Sequence, residues 1–213
     1  MQRFEINKTV IDSIQELIEK GANAKLRVKL KDFHYADIAE IIYELSTDQA
    51  IYLIKLLDSE KTAEALAEVD EDTRERILEK LSVKEIAEEI SELDSDDAAD
   101  LMAELSEERQ ERVMSEISDT SHVDDIRELL AYDENTAGGL MAKEMVVVQE
   151  GLSVLKCLNA MRAQAEEVTR VHSIYVVDDK NRLKGRLSLK DLITANSKAI
   201  VKDVCIPKVD FVT

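Results

Sequence analysis

Carboxylates are the residues of this chain best placed to do chemistry, and they gather most densely at Asp94-Ser95-Asp96-Asp97-Ala98-Ala99-Asp100, continuing to Glu104. Carboxylate and water oxygens are what a hard divalent cation takes as ligands. Spacing of four predicts that Asp96, Asp100 and Glu104 share one face of a helix and that their side chains converge. Like charges so placed cost stability until a cation neutralises them. On these residues alone the favoured reading is a solvated helix start, because Asp in a first turn complements the helix dipole.

Other chemistry is sparse. His34, His122 and His172 stand alone, with no His-Glu-x-x-His pattern and no cysteine nucleophile nearby. Tyr132-Asp133-Glu134 imitates a small acid–base site without a partner. Gly138-Gly139 is no phosphate loop, since no strand precedes it and no Gly-Lys-Ser/Thr follows; the pair reads as a tight turn. Cys157 and Cys205 carry no metal-ligand spacing and are too few for a disulfide framework. Cys157 falls on an apolar helical face with Val154, Leu158 and Met161. These features point away from an enzyme.

The acidic stretch belongs to a repeat. Leu45-Ser46, Leu57-Asp58, Val69-Asp70, Leu81-Ser82, Leu93-Asp94, Leu105-Ser106 and Ile117-Ser118 are aliphatic-then-cap pairs at a strict period of twelve. Each Ser or Asp is expected to accept a hydrogen bond from the free amides of a helix start. Apolar residues within each unit recur at helical spacing, as at Leu53, Ile54 and Leu57. Each unit thus predicts one helix of roughly nine residues, about 13 Å long. Such a helix is marginal alone and is stable when stacked, which is the logic of a superhelix.

Charge follows the same division. Residues 34–131 hold 30 of the 46 acidic and 9 of the 28 basic side chains, a net of −21, and the remainder is +3. A phosphate backbone needs a basic face, so nucleic acid is excluded as a partner. Cations or a basic protein surface fit, as does a plain self-repelling, soluble surface. No apolar run approaches the ~20 residues that cross a bilayer, and the first residues carry no signal-peptide core. Residues 1–33 read as one amphipathic helix over Ile6, Val10, Ile14, Leu17 and Ile18, ended by Gly21, and then a basic linker from Lys25 to Lys31 that could pack on the acidic array. From Phe33 to Ala131 there is no glycine or proline, so the turns there must be tight and capped by Ser, Asp and Thr. A longer break is expected over residues 118–122, before a helix over 123–131.

Composition changes after Tyr132, where four of the five glycines and the only proline lie. Residues 145–148, 174–177 and 183–187 read as strands, residues 153–163 as a helix between the first two, and residues 188–195 as a second helix. Ser188 and Asp191 have the spacing of a helix cap.

That order of elements, opened by MVVVQEGLSV and closed by IYVVDDKNRLKGRLSLKDL, resembles a CBS module. YDENTAGGLM, placed between an acidic superhelix and such a module, is similar to the join in MgtE-type magnesium transporters; the likeness runs from about Phe33 onward. It implies a right-handed superhelix of short stacked helices over residues 34–131, a connector and small α/β CBS module over 132–206, and the opening of a second CBS module over 207–213, with no pore-forming part. Its implied function is a magnesium-sensing gate: ions bridge the acidic surfaces of the helical and CBS domains and compact the assembly. Asp96 and Asp100 match the family's acidic metal contacts, and Asp97 and Glu104 adjoin them as further ligands. Magnesium would bind with low affinity. The resemblance also implies a homodimer at the cytoplasmic face of the cell membrane, partnered by its own second CBS module and membrane domain, and an adenosine nucleotide near Ser188 and Asp191, whose carboxylate suits a ribose diol. Two rival readings are a protein-interaction scaffold of the flagellar motor switch type and a free-standing CBS nucleotide sensor.

Overall fold

The structure is a computed structural model, and it describes residues 6–207 and 209 apart from 134, 166, 167, 169, 170 and 172. His172, Glu134 and most of the expected opening of a second CBS module (208 and 210–213) lie outside the described residues. The chain divides into two compact units, Met1–Asp133 and Glu134–Thr213.

The first unit consists of short helices: α1 (Lys8–Glu19), α2 (Asn23–Leu30), α3 (Tyr35–Glu44), α4 (Thr47–Ile54), α5 (Ser59–Glu68), α6 (Glu71–Lys80), α7 (Val83–Ile90), α8 (Ser95–Ala103), α9 (Glu107–Glu116) and α10 (Thr120–Leu129). From α3 on, the main packing joins helices two places apart: α3 with α5, α4 with α6, α5 with α7, α7 with α9 and α8 with α10, with α6 and α8 in weaker contact. The repeat pattern therefore builds two interleaved rows that share a core of Ile38, Ile41, Ile42, Leu53, Leu66, Ile77, Ile86, Ile90 and Leu101. Residues 25–31, read from sequence as a basic linker, instead form most of α2. It buries Leu26 and Leu30, and it belongs to the same unit as the array.

Helix starts are less uniform than the repeat suggests. Ser46, Asp70 and Ser82 accept the expected amide hydrogen bond, from Gln49, Thr73 and Glu85 respectively. Asp58, Asp94 and Ser106 hold the same extended cap backbone without a side-chain cap bond. At the last unit the cap slips by one: Asp119, not Ser118, accepts from Ser121 and His122, and α10 begins three residues before the expected start. What the seven pairs share more consistently is the aliphatic residue, since Val69, Leu81, Leu93, Leu105 and Ile117 are all buried. Burial of that side chain sets the turn, and the cap bond is an addition where geometry allows it.

Only α1 ends on a left-handed glycine. Gly21 has φ 60°, its N–H reaches Ile18 O, and Ala22 N–H reaches Leu17 O, the Schellman pattern. Elsewhere the array satisfies its helix C-termini with side chains from other helices. Arg74, at the fourth position of α6, donates to Leu66 O and Ala67 O of the preceding α5 at 3.5 and 3.0 Å, and Gln110, at the same position of α9, donates to Met102 O and Leu105 O behind α8 at 2.9 and 3.0 Å. Third-position residues reach further, to the helix three places earlier. Lys61 of α5 donates to Leu30 O and Lys31 O at the end of α2 (3.4 and 2.8 Å), and Arg109 of α9 donates to Leu78 O and Leu81 O at the end of α6 (2.6 and 2.5 Å). His122 of α10 sits with Nε2 3.2 Å from Ile90 O at the end of α7. Glu85 of α7 pairs at 2.7 Å with Lys55, the residue that caps α4. Lys55 and the Ser82 cap together hold the Glu85 carboxyl down at about 2.

The second unit runs β1 (Val146–Gln149), α11 (Val154–Gln164), β2 (Ile174–Val177), β3 (Leu183–Leu187), α12 (Leu189–Thr194) and α13 (Val201–Val204). The sheet order is β1-β2-β3, with β1 and β2 parallel and β2 and β3 antiparallel. Parallel pairing needs the α11 crossover. Val146, Val148, Val154, Cys157, Ile174, Val176, Leu187, Leu192 and Val201 form its core. Burial raises the Cys157 thiol pKa, consistent with packing and not reactivity.

Both sheet edges are closed. Gln164 imitates a strand on β1: its Oε1 accepts from Val147 N–H at 2.9 Å and its Nε2 donates to Val147 O at 3.0 Å. On β3, Arg186 and Ile206 exchange both backbone hydrogen bonds, at 2.9 and 2.8 Å. Gly185 permits that approach, because a Cβ there would lie 2.5 Å from Ile206 O. Asp178 shapes the β2–β3 turn by accepting from Lys180 N–H, Arg182 N–H and the Arg182 guanidinium. Among the described residues, no helix is long and apolar enough to cross a membrane.

Candidate cation-sensing site

Helix α8 buries Ser95, Ala98, Ala99, Leu101 and Met102, which leaves Asp96, Asp97 and Asp100 at or near the surface. Asp96 and Asp97 lie in the first turn, where the dipole favours them. Asp97 nevertheless has its carboxyl pushed up to about 6. Partial burial is the main cause; the charges of Asp96, Glu64, Asp100 and Asp94 add to it. Four carboxylates thus act on a fifth, and one of them, Glu64, comes from a different helix, α5.

The position of Asp97 in the repeat explains this. It is the third residue of α8, the counterpart of Lys61 in α5, Arg109 in α9 and His122 in α10. Those three reach the C-terminal carbonyls of the helix three places earlier, which for α8 is α5. Other third positions differ, Thr73 in α6 and the acid Glu85 in α7, so Asp97 is a second acid at this place, and the end of α5 is capped by Arg74. The result is a local gathering of negative charge around Asp97. Glu64 was missed in the sequence reading. The signal that finds it is the twelve-residue register of Lys61, Asp97 and Arg109, read together with the reach of three helices.

Glu104 is engaged elsewhere. It caps α8, and its Oε1 accepts from Arg74 Nε at 2.6 Å and Nη2 at 2.5 Å, with side chains only 12% and 15% exposed. Its Oε2 is buried and accepts no hydrogen bond. The spacing of four is thus present, but Glu104 turns toward α6 while Asp100 is exposed to solvent. Among the described residues, no group of three or more His, Cys, Asp or Glu side chains is arranged to hold a metal ion on its own.

In the second unit Ser188 caps α12. It accepts from Asp191 N–H at 3.1 Å and its hydroxyl donates to Asp191 Oδ2 at 2.7 Å. Residues 136–141 turn through the Leu140 N–H to Thr136 O bond, with Gly139 N–H on the Thr136 hydroxyl.

Comparison with known proteins divides the chain as its two units do. The model of the MgtE intracellular N domain matches residues 33–135, and that of the CBS domain matches residues 137–198. A solved structure of the cytosolic domain of the magnesium channel MgtE in complex with ATP superposes with a TM-score of 0.87 at 33% identity, covering 95% of this chain and 82% of that one. The chain belongs to the MgtE family. The magnesium transporter MgtE of Thermus thermophilus is 33% identical over 202 residues, which are 94% of this chain and 45% of that protein. The chain therefore spans about half the length of that MgtE. The Enterococcus faecalis MgtE is 33% identical over 76 residues, 36% of this chain and 17% of that protein. The soluble part of a magnesium transporter shares the fold, with a TM-score of 0.81 at 23% identity over 94% of this chain. The relatives that match are thus transporters, and the MgtE-like chain pairs the family's N domain with a CBS domain.

Proposed function

We propose that this chain is the cation-sensing regulatory region of a magnesium transporter and that its acidic array, centred on Asp97, is the sensor. The observation that carries the reading is the gathering of Asp94, Asp96 and Asp100 of the α8 start with Glu64 of α5 around the half-buried Asp97, whose carboxyl is pushed up to about 6. Asp96, Asp97, Asp100 and Glu64 supply hard oxygen donors, the ligand class magnesium prefers, and magnesium keeps several waters when it binds. Because these residues do not form a closed cage, a cation held here draws on water or on oxygens of a second surface. Bridging of that kind pulls the acidic array toward another acidic face, and the protein compacts. Glu104 joins the set only by leaving Arg74. The sensor belongs at the cytoplasmic face of the membrane, in a homodimer that continues through a second CBS module, beginning near residue 207, into a membrane domain.

Small-angle scattering in millimolar magnesium, against sodium at matched ionic strength, tests the reading. A smaller radius of gyration in magnesium is expected, and equal radii would overturn it. Asp96→Asn with Asp100→Asn should blunt the response. Asp97→Asn should raise stability in the absence of divalent cations by about 1 kcal/mol after allowance for solvent screening, and saturating magnesium should narrow that gain.

The MgtE cytosolic domain solved with ATP motivates a second reading, in which an adenosine nucleotide meets Ser188 and Asp191. The hydroxyl–carboxylate bond there is 2.7 Å long and would have to open toward the ribose. Titration with ATP and AMP tests it; Asp191→Ala should abolish binding, and unchanged affinity in that variant would overturn the assignment.

A further inference from the structure

One buried titratable group lies outside the cation site and is used by none of the chemistry above. Glu89, near the end of α7, is 6% exposed and faces Thr62 of α5, which is fully buried. The Thr62 hydroxyl oxygen lies 2.7 Å from Glu89 Oε2, 3.2 Å from Asp58 O and 3.3 Å from Ser59 O. A hydroxyl has one hydrogen and two lone pairs. If Glu89 is ionised, that hydrogen goes to its carboxylate, and Asp58 O still accepts from the Lys61 and Thr62 amides. If Glu89 is a neutral acid, its own hydrogen goes to Thr62, and Thr62 donates back along α5 to Asp58 O or Ser59 O. Both states can bond to Thr62; what separates them is burial, because a carboxylate 6% exposed among negative neighbours is costly to ionise.

We propose that Glu89 and Thr62 form a proton-held latch between α5 and α7, shut when Glu89 is a neutral carboxylic acid and loosened when it ionises. The surroundings favour the shut state. On α7 the neighbouring charges are Glu88 and, just beyond the helix, Glu92, both negative. Cations in the neighbourhood are committed: Lys84 to Glu88 at 3.8 Å and Lys55 to Glu85 at 2.7 Å. From α5 come only the hydroxyls of Thr62 and Ser59, the latter 3.5 Å from Glu92 Oε1. From α9 comes Glu116, which lines a polar cavity of about 280 Å³ together with Lys84, Glu88 and Glu92. From α10 comes His122, on the carbonyl of Ile90.

Burial pushes the Glu89 carboxyl up to about 7, against a contrary pull from the Thr62 hydrogen bond. A folded-state value above the unfolded one means that the native state holds the proton more tightly. The latch therefore contributes its full stability below the ordinary carboxylate range, near 4.5, and loses it as pH rises through about 7. The device responds to protons around neutrality and does not depend on the cation reading above.

The test is a carboxyl carbon-13 NMR titration of the whole chain in chelator, with melting curves from about pH 5 to about pH 8. The Glu89 carboxyl should titrate with a midpoint near 7, and the melting temperature should fall across that range. Glu89→Gln, whose amide donates to Thr62 at every pH, should reduce the fall to the part contributed by Asp97, whose carboxyl is raised to about 6. Thr62→Val, which takes away the donor that favours the ionised form, should raise the midpoint further, a shift that loss of packing alone would not produce. A midpoint in the ordinary carboxylate range, or the same pH dependence in Glu89→Gln, would overturn the proposal. If Glu89→Gln does not fold, the midpoint of the unaltered chain still decides.

Discussion

The two units meet one physical demand, the satisfaction of backbone ends, in different ways. In the helical array the orphan groups are helix C-termini, and side chains one or three helices further along the chain reach back to cap them: Arg74, Gln110, Lys61 and Arg109. In the α/β unit the orphan groups are sheet edges. A glutamine side chain and a returning backbone segment close them, Gln164 on β1 and Ile206 on β3. The array's devices recur at the third and fourth positions of its helices, so the residue type there sets the local charge, as Asp97 does. Those of the α/β unit depend on shape and occur once. The comparison teaches that a repeat can put one position to different uses, as at Lys61, Glu85, Asp97 and Arg109, whereas a small sheet closes each edge with a device of its own.

The largest expected effect that would break this comparison is in the array. Arg74→Met leaves Glu104 buried without its partner and the end of α5 uncapped, and should destabilise the first unit by about 3–5 kcal/mol. Hydrogen exchange should show the loss in α5, α6 and α8 and spare the sheet; equal loss in both units would deny their independence. Next comes Gly185→Ala, whose Cβ meets Ile206 O at 2.5 Å. It should cost about 1–3 kcal/mol, the range for overpacking, with exchange rising at Arg186 and Ile206 and the array unchanged. A smaller effect sharpens the repeat itself. Ser82→Ala removes a formed cap and should cost about 1 kcal/mol. Ser106→Ala removes a serine with no cap bond and should be close to neutral, measured as denaturant midpoints. Smallest is an acid effect on the β2–β3 turn. The Arg182 guanidinium, with backbone amides, holds the Asp178 carboxyl down at about 2. Its contribution is present above the ordinary range and lost as pH falls toward 2, so amide signals of the turn should shift there, after those beside the array's ordinary carboxylates.

Much of this was legible in the residues. The strands at 174–177 and 183–187 appear where alternation and turn residues place them, and β1 lies one residue later than read. The helices of the array follow the twelve-residue period at eight to ten residues each from α3 to α10. Ser188 is a helix cap, as its spacing suggested. Less legible were contacts made across several helices. Nothing local to Glu104 distinguishes it from Asp100, yet one is tied to Arg74 and the other is exposed. Glu89 reads as one of many surface acids until Thr62, 27 residues earlier, is found against it.

By itself the sequence determined where the chain is helical, where it is sheet, and that the negative charge belongs to the helices. Period, capping residues and β-branched runs act over a few residues, so they need no knowledge of the rest. Only the tertiary structure decided which acids are ion-paired, which are neutral and which are exposed. Those states depend on burial and on charges brought from other helices, and both are properties of the packed array.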